Sequence, residues 1–335
     1  MHKGQEPRVL VTGVGGAAGI AVLRALADRP YRLLGADCDP HAAGIYLAPE
    51  GGLLLPRADD ADYVEAVFDA VSRHGVDILV PTVDEELQPL ARERGRLEGL
   101  GVHLLAAPES ALRLCLDKWA LVCALAGEVP VPRTSLLDDR LDLAELEPPL
   151  VVKPRSGRGG EGISFHAEVA ELAGRCRDGS WIAQEELPGA EYSIDVLVSQ
   201  AGEAVAAVPR ERLKVDSGVA VTARTVRDPE LEELGRRAAL AAGLRGPANV
   251  QFRRDRDGTP RLLEINPRFP GTLAITVASG VNLPDLAIAD LLGSPLPDAA
   301  GHFDEVAIVR YLEEKVLEPG RLEEMEGCSR GFAHA

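Results

Sequence analysis

The sequence predicts an α/β protein that opens on a parallel, doubly wound sheet and continues into smaller α+β units. Three observations carry this. Apolar strand-like runs alternate with helical segments over roughly the first hundred residues, short strands with Gly-rich or acidic connections dominate after about residue 150, and a hairpin with one polar face spans 248–266.

In chain order, RVLVTG (8–13) is a buried-strand run, Ala18 to Asp28 reads as a helix, YRLLGAD (31–37) as a second strand, and 61–74 as a helix leading into DILVPT (77–82). That is the βαβαβ grammar of a Rossmann-like sheet. A helix near 84–98 and a short strand HLLA (103–106) follow, and a helix from about 108 to 126 opens a new region. VPVP (129–132) and Pro148-Pro149 mark breaks. VVKP, GISF, WIAQEE and EYSIDVLVS supply the strands of the next unit, and a helix at about 229–242, the hairpin and a helix at about 280–292 complete a third. The acidic tail from 312 reads as a surface helix and end. The expected units are 1–107, 108–188, 189–312 and 313–335.

Bulk composition narrows the function. At 335 residues and 46% hydrophobic the chain suits two or three globular units sharing a core. Five cysteines (38, 115, 123, 176 and 328) form no CxxC or Cys/His run, which argues against disulfides and zinc. No apolar stretch nears the ~20 residues a membrane span needs, so a cytoplasmic protein is expected. A net charge of −17 disfavours nucleic acid as a partner. The oligomeric state is not legible, which leaves room for a homo-oligomer.

Gly13-Val14-Gly15-Gly16-Ala17-Ala18 fits G-x-G-x-x-A between strand and helix, with Asp37 where a ribose-binding acid would sit. Taken alone this suggests an NAD(P)-dependent oxidoreductase. Glycines at a helix start equally serve a tight structural turn.

A fuller set of chemical residues lies further on. VVKPRSGRGGEGISF (151–165) places Lys153 at a strand end before a loop with glycines at 157, 159, 160 and 162. Such a loop can fold over phosphates, and it is not a Walker loop because GK[ST] is missing and strand leads to strand. In ANVQFRRDRDGTPRLLEINPRF (248–269), Asp257-Gly258 is a two-residue turn signal. That turn sets Gln251 opposite Glu264 and Asn249 opposite Asn266, all on one face, while Val250, Phe252, Leu263 and Ile265 mark the other face as core. A carboxylate and amide oxygens on adjacent strands can hold Mg²⁺ with phosphates and water completing the shell. Arg268 projects the same way and can neutralise a transferring phosphoryl group.

These motifs, above all Glu264-x-Asn266-Pro267-Arg268, resemble the ATP-grasp superfamily over roughly residues 8 to 312, particularly a single synthetase module of the carbamoyl-phosphate synthase large subunit. The resemblance implies an amino-terminal pre-ATP-grasp domain that does not bind dinucleotide, then two α+β lobes enclosing ATP. It implies that Lys118, following Asp117 at a helix start, and Lys153 reach the phosphates beneath the loop holding Gly159 and Gly160. Gln184 and the backbone of Glu185 and Leu187 would meet adenine, and Glu191 the ribose. Gln251, Glu264 and Asn266 would ligate two Mg²⁺ ions, with Arg268 and Lys153 as the catalytic cations. The implied reaction is ADP-forming ligation: a small-molecule carboxylate becomes an acyl phosphate and an amine displaces the phosphate. A carboxylase using bicarbonate and a non-catalytic nucleotide-binding module are the alternatives. Asp84 and Glu85 in PTVDEEL (81–87) either receive a substrate ammonium or simply favour a helix N-terminus, and Arg210, Arg212 and Arg224 are candidates for a substrate carboxylate.

Overall fold

A computed structural model describes residues 6–329 apart from 158–160, 173, 175, 217 and 298. Strands β1 (Arg8–Thr12), β2 (Arg32–Asp37), β3 (Gly52–Leu54), β4 (Ile78–Val80) and β5 (His103–Leu104) form one parallel sheet in the order β3-β2-β1-β4-β5. The inner strands are runs of Val, Leu and Ile buried on both faces, as a sheet covered by helices on each side requires. Helices α1 (Ala17–Leu26) and α2 (Ala43–Leu47) pack on one face. The other is covered by α3 (Tyr63–His74), α4 (Asp84–Arg92) and α5 (Arg94–Gly99). Strand order reverses between β1 and β4, and there the Thr82 hydroxyl donates to the Thr12 carbonyl at 2.7 Å.

The α2 and β3 elements fill a span where no element was expected, because a five-residue helix and a three-residue strand are too short to show a period. Two expectations nearby need correction. The helix near 84–98 breaks at Glu93 into α4 and α5, with Pro89 already inside α4. The helix at 108–126 is α6 (Glu109–Cys115) and α7 (Lys118–Leu125), since the Asp117 carboxylate accepts from the Trp119 and Ala120 N–H groups and starts a new helix.

Beyond α7 lies a four-stranded sheet, ordered β6-β9-β7-β8, of β6 (Thr134–Asp138), β7 (Leu150–Pro154), β8 (Ser164–His166) and β9 (Asp178–Glu185). It carries its own small core around Leu137, Leu150, Val152 and Ala183. A six-stranded antiparallel sheet, ordered β14-β13-β10-β11-β12-β15, follows: β10 (Glu191–Val198), β11 (Ala204–Asp216), β12 (Val219–Thr225), β13 (Gly246–Arg254), β14 (Pro260–Asn266) and β15 (Ala307–Val309). Helix α8 (Pro229–Ala241) packs on it, and Gly235 makes this possible: a Cβ there would come within 2.7 Å of the Ile194 side chain. Strands β6, β11, β12 and β15 and helix α9 (Leu273–Ala278) were not legible. In β11 the interior Pro209 and the charges of RERLK conceal a central strand. Helix α10 (Leu283–Leu291) reaches back to α1, and the acidic tail ends in α11 (Pro319–Ser329) against β3. The parallel sheet and the six-stranded sheet share apolar cores, so the faces between them are set rigidly. Among the described residues no helix is long and apolar enough to cross a membrane.

Candidate active site

The hairpin β13–β14 fixes the site, and it does so by a route the sequence did not show. Its turn has three residues, Arg256, Asp257 and Gly258, closed by the Asp255 N–H on the Thr259 carbonyl at 2.9 Å, with Gly258 at φ 84°. The expected two-residue turn is therefore wrong, and near the turn Phe252 faces Leu262. One residue further the ladder bulges at Leu263, after which Gln251 stands opposite Glu264 and Asn249 opposite Asn266, the pairs expected. Leu262 takes the core position, while Leu263, expected there, lines the cleft.

On the polar face each amide donates to a neighbour. The Asn266 Nδ2 donates to Glu264 Oε1 (3.2 Å), Gln251 Nε2 to Asn249 Oδ1 (3.2 Å), and Asn249 Nδ2 to Asp195 Oδ1 (2.9 Å). The carbonyl oxygens of Gln251 and Asn266 thereby remain the groups available to a cation. Asp195 is fully buried, paired with Arg210 and accepting from Thr276 Oγ1 at 2.5 Å, so the donor face rests on a fixed polar layer. Among the described residues there is no group of three or more His, Cys, Asp or Glu that would hold a metal unaided. With one carboxylate, the Gln251/Glu264/Asn266 set fits a magnesium ion that brings phosphate oxygens with it.

Facing the hairpin across a cavity of about 370 Å³ is the small sheet. Lys118, Lys153, Gln184, Glu185, Leu187 and Glu191 line it together with Gln251 and Glu264, so the structure brings the sequence candidates to one cleft. Lys153 is buried, which pulls its ammonium down to about 8, lowered further by Lys118 and opposed by Glu264 and Glu191. The Lys118 ammonium donates to the Gly157 carbonyl at 2.7 Å, and Asp117 is held by Arg155 at 2.6 Å. Glu185 gives its N–H to the Arg133 carbonyl at 2.9 Å. Glu191 is paired with Arg212 at 3.2 Å. Gly159 and Gly160 lie outside the described residues. Val151, Ile163, Phe165 and Leu263 add apolar walls that the sequence reading missed. For Val151 the signal was present, since it shares a strand face with Lys153.

A second chamber of about 650 Å³ lies between this hairpin and the parallel sheet. Glu264, Gln251 and Arg212 border both cavities, and Asn266 and Arg268 face the second. Arg268 grips Asp84, the first residue of α4, through two hydrogen bonds of 2.8 and 2.9 Å. Glu85 does not line this second chamber; it borders a smaller pocket beside Tyr63 and Glu86. Arg210 and Arg224 need correction as substrate groups. Arg210 is fully buried against Asp195 and Thr272, and Arg224 is paired on the sheet with Glu211 at 2.6 Å, outside the chamber walls. At the amino-terminal turn, the Gly15 N–H donates to Asp37 Oδ2 at 2.6 Å and Gly13, at φ 66°, packs on Val83 so closely that a Cβ would fall 2.3 Å from it. Asp37 thus already folds onto the turn.

Comparison with known proteins identifies the superfamily. Residues 177–315 match the family described as ATP-grasp in the biosynthetic pathway with Ter operon, and residues 9–105 match the PylC-like N-terminal domain. A D-alanine--D-alanine ligase of Anaeromyxobacter dehalogenans is 32% identical over 232 residues, covering 61% of this chain and 75% of that protein. The chain belongs to the ATP-grasp superfamily. A carbamoyl phosphate synthase large chain of Thermus thermophilus is 27% identical over 309 residues, which cover 82% of this ATP-grasp chain but only 29% of the relative. The ADP complex of N5-carboxyaminoimidazole ribonucleotide synthetase superposes with a TM-score of 0.73 at 18% identity, over 91% of this chain and 81% of that one, a likeness of fold.

Proposed function

We propose that this ATP-grasp chain is an ADP-forming carboxylate–amine ligase. The observation that carries the reading is the position of Glu264, on the wall shared by the nucleotide cleft and the second chamber. A nucleotide whose γ-phosphate reaches Glu264 meets there a carboxylate lying in the other chamber, in line with transfer.

In this reading Gln184, Glu185, Leu187 and Glu191 hold adenine and ribose, Lys118 and Lys153 hold the phosphates, and Gln251, Glu264 and Asn266 hold two Mg²⁺ ions. The bound metal offsets charge on the phosphoryl oxygens. The substrate carboxylate oxygen attacks the γ-phosphorus, the bond to the β-phosphate oxygen breaks, and ADP leaves. An amine then attacks the acyl carbon, phosphate departs with the C–O electron pair, and the amine loses a proton to give an amide. Arg268 stands beside the transferred group and Asp84 fixes its plane. The similarity to a D-alanine--D-alanine ligase supports an organic carboxylate, in place of bicarbonate, as the acid that is activated.

The test is an ADP-release screen of amino acids and small carboxylates, singly and in pairs, with mass spectrometry of products. Amide formation that depends on both substrates and on Mg-ATP is expected. Binding of NAD(P) without ATP would sink the reading.

A further inference from the structure

Where strand order reverses, a third and smaller chamber of about 130 Å³ lies among the C-terminal ends of β1 and β2, the loop after β3 and the start of α4. It shares Gly13, Asp37 and Val83 with the chamber that holds Arg268, so it is a side pocket of the proposed substrate space. Its floor is Glu86, 5% exposed, whose Oε2 accepts from Thr12 Oγ1 at 2.6 Å. Beside it Tyr63, 2% exposed, brings a hydroxyl that closes no hydrogen bond of normal geometry, although Glu86 and Thr12 are its polar neighbours. A buried hydroxyl left in this way calls for a partner that arrives from outside.

The charge around the pocket states which partner. The pocket is lined by the carboxyls of Asp37, Asp59, Glu85 and Glu86 and by one guanidinium, Arg57, which is paired with Asp59 at 2.9 Å. The balance is anionic, so a cation is favoured and a phosphate or carboxylate is repelled. The volume admits only a few heavy atoms. Asp84, the residue that sequence offered for this task, is committed to Arg268.

We infer that this side pocket receives the primary ammonium group of the carboxylate substrate, with the Glu86 carboxylate and the Tyr63 oxygen as acceptors, so that the activated acid is an amino acid. This rests on the ligase reading. The ammonium donates two of its hydrogen bonds inward, and Tyr63 passes its own hydrogen to Glu86. Held protonated, the amine is a recognition handle and has no free electron pair with which to act as the nucleophile. The activated carboxylate then extends from the pocket into the chamber bordered by Arg268 and Glu264.

The experiment is ligand-observed saturation-transfer NMR on the full chain, with n-propylammonium and n-propanol as probes and calorimetry of Mg-ATP binding alongside. Saturation is expected to reach propylammonium and not propanol, and to fall at least about fivefold in both Glu86→Gln and Tyr63→Phe while Mg-ATP affinity stays within about twofold of wild type. Equal transfer to both probes, or transfer unchanged in the variants, overturns the assignment. Tyr63→Phe keeps the ring's packing and carries the test if Glu86→Gln does not fold. A wild-type chain that binds propylammonium in this way but not Mg-ATP would refute the ligase reading and leave the pocket standing.

Discussion

Asp84 and Arg268, 184 positions apart, form a two-point ion pair of 2.8 and 2.9 Å that ties the parallel sheet to the end of the hairpin strand. Both side chains are largely shielded, so the pair is stronger than a surface bridge and sets the plane of the guanidinium. Arg268→Lys keeps the charge and loses the fork. ADP release is expected to fall by about 100-fold or more with nucleotide affinity close to wild type, because without the fork Asp84 no longer orients the cation that the proposed mechanism sets beside the transferring group. Steady-state kinetics with calorimetry checks this; an equal loss in both would make Arg268 a ground-state contact.

Glu264→Gln removes the only carboxylate of the Gln251/Glu264/Asn266 set and preserves its shape. Thermal stability near wild type is expected, with ADP formation down by about 100-fold and the magnesium requirement raised. Full activity at ordinary magnesium would refute the metal assignment.

Lys153 is buried at the cost of its hydration, which is why its ammonium falls to about 8. Lys153→Met should therefore leave melting temperature unchanged or raise it, while nucleotide affinity and turnover fall together. Differential scanning fluorimetry and calorimetry measure the two sides, and a large loss of stability would show that the lysine is structural.

Leu263 reaches the cleft because of the bulge. Leu263→Ala should weaken nucleotide binding by about tenfold, the scale for about 1.4 kcal/mol of apolar contact, without the stability loss expected of a core leucine. The same change at Leu262, which is fully buried, should cost about 2–5 kcal/mol of stability. Urea unfolding of both variants separates the positions.

Burial raises the Glu86 carboxyl to about 7, opposed by the hydrogen bond from Thr12, by the neighbouring Tyr63 hydroxyl and by the backbone of Val83 and Thr82. The folded value lies above the ordinary 4.5, so this group's contribution to stability is full below the lower value and is lost as pH rises through the upper one. The neutral Glu86→Gln should match wild type near the lower value and gain on it by about 3 kcal/mol above pH of about 7. Denaturant melts across that range test it; a gap independent of pH would mean that Glu86 titrates normally.

The sequence alone determined the order of the main elements, the two lysines, the Glu-x-Asn-Pro-Arg segment and the facing of Gln251 on Glu264. Those features are local: strand runs, glycine spacing and the alternation of side chains along a strand are written within a few residues of one another. The hairpin shows how narrow that legibility is. A three-residue turn shifts the register by one, a bulge at Leu263 shifts it back, and only the combination preserves the pairs. Tertiary structure decided the rest. Which arginine meets Asp84, which is sealed beneath Asp195, and which borders both cavities depends on contacts between distant segments whose residues look alike in one dimension. The pocket around Glu86 and Tyr63 exists for the same reason, because its walls come from five separate strand and helix ends that only the twist and order of the parallel sheet bring together.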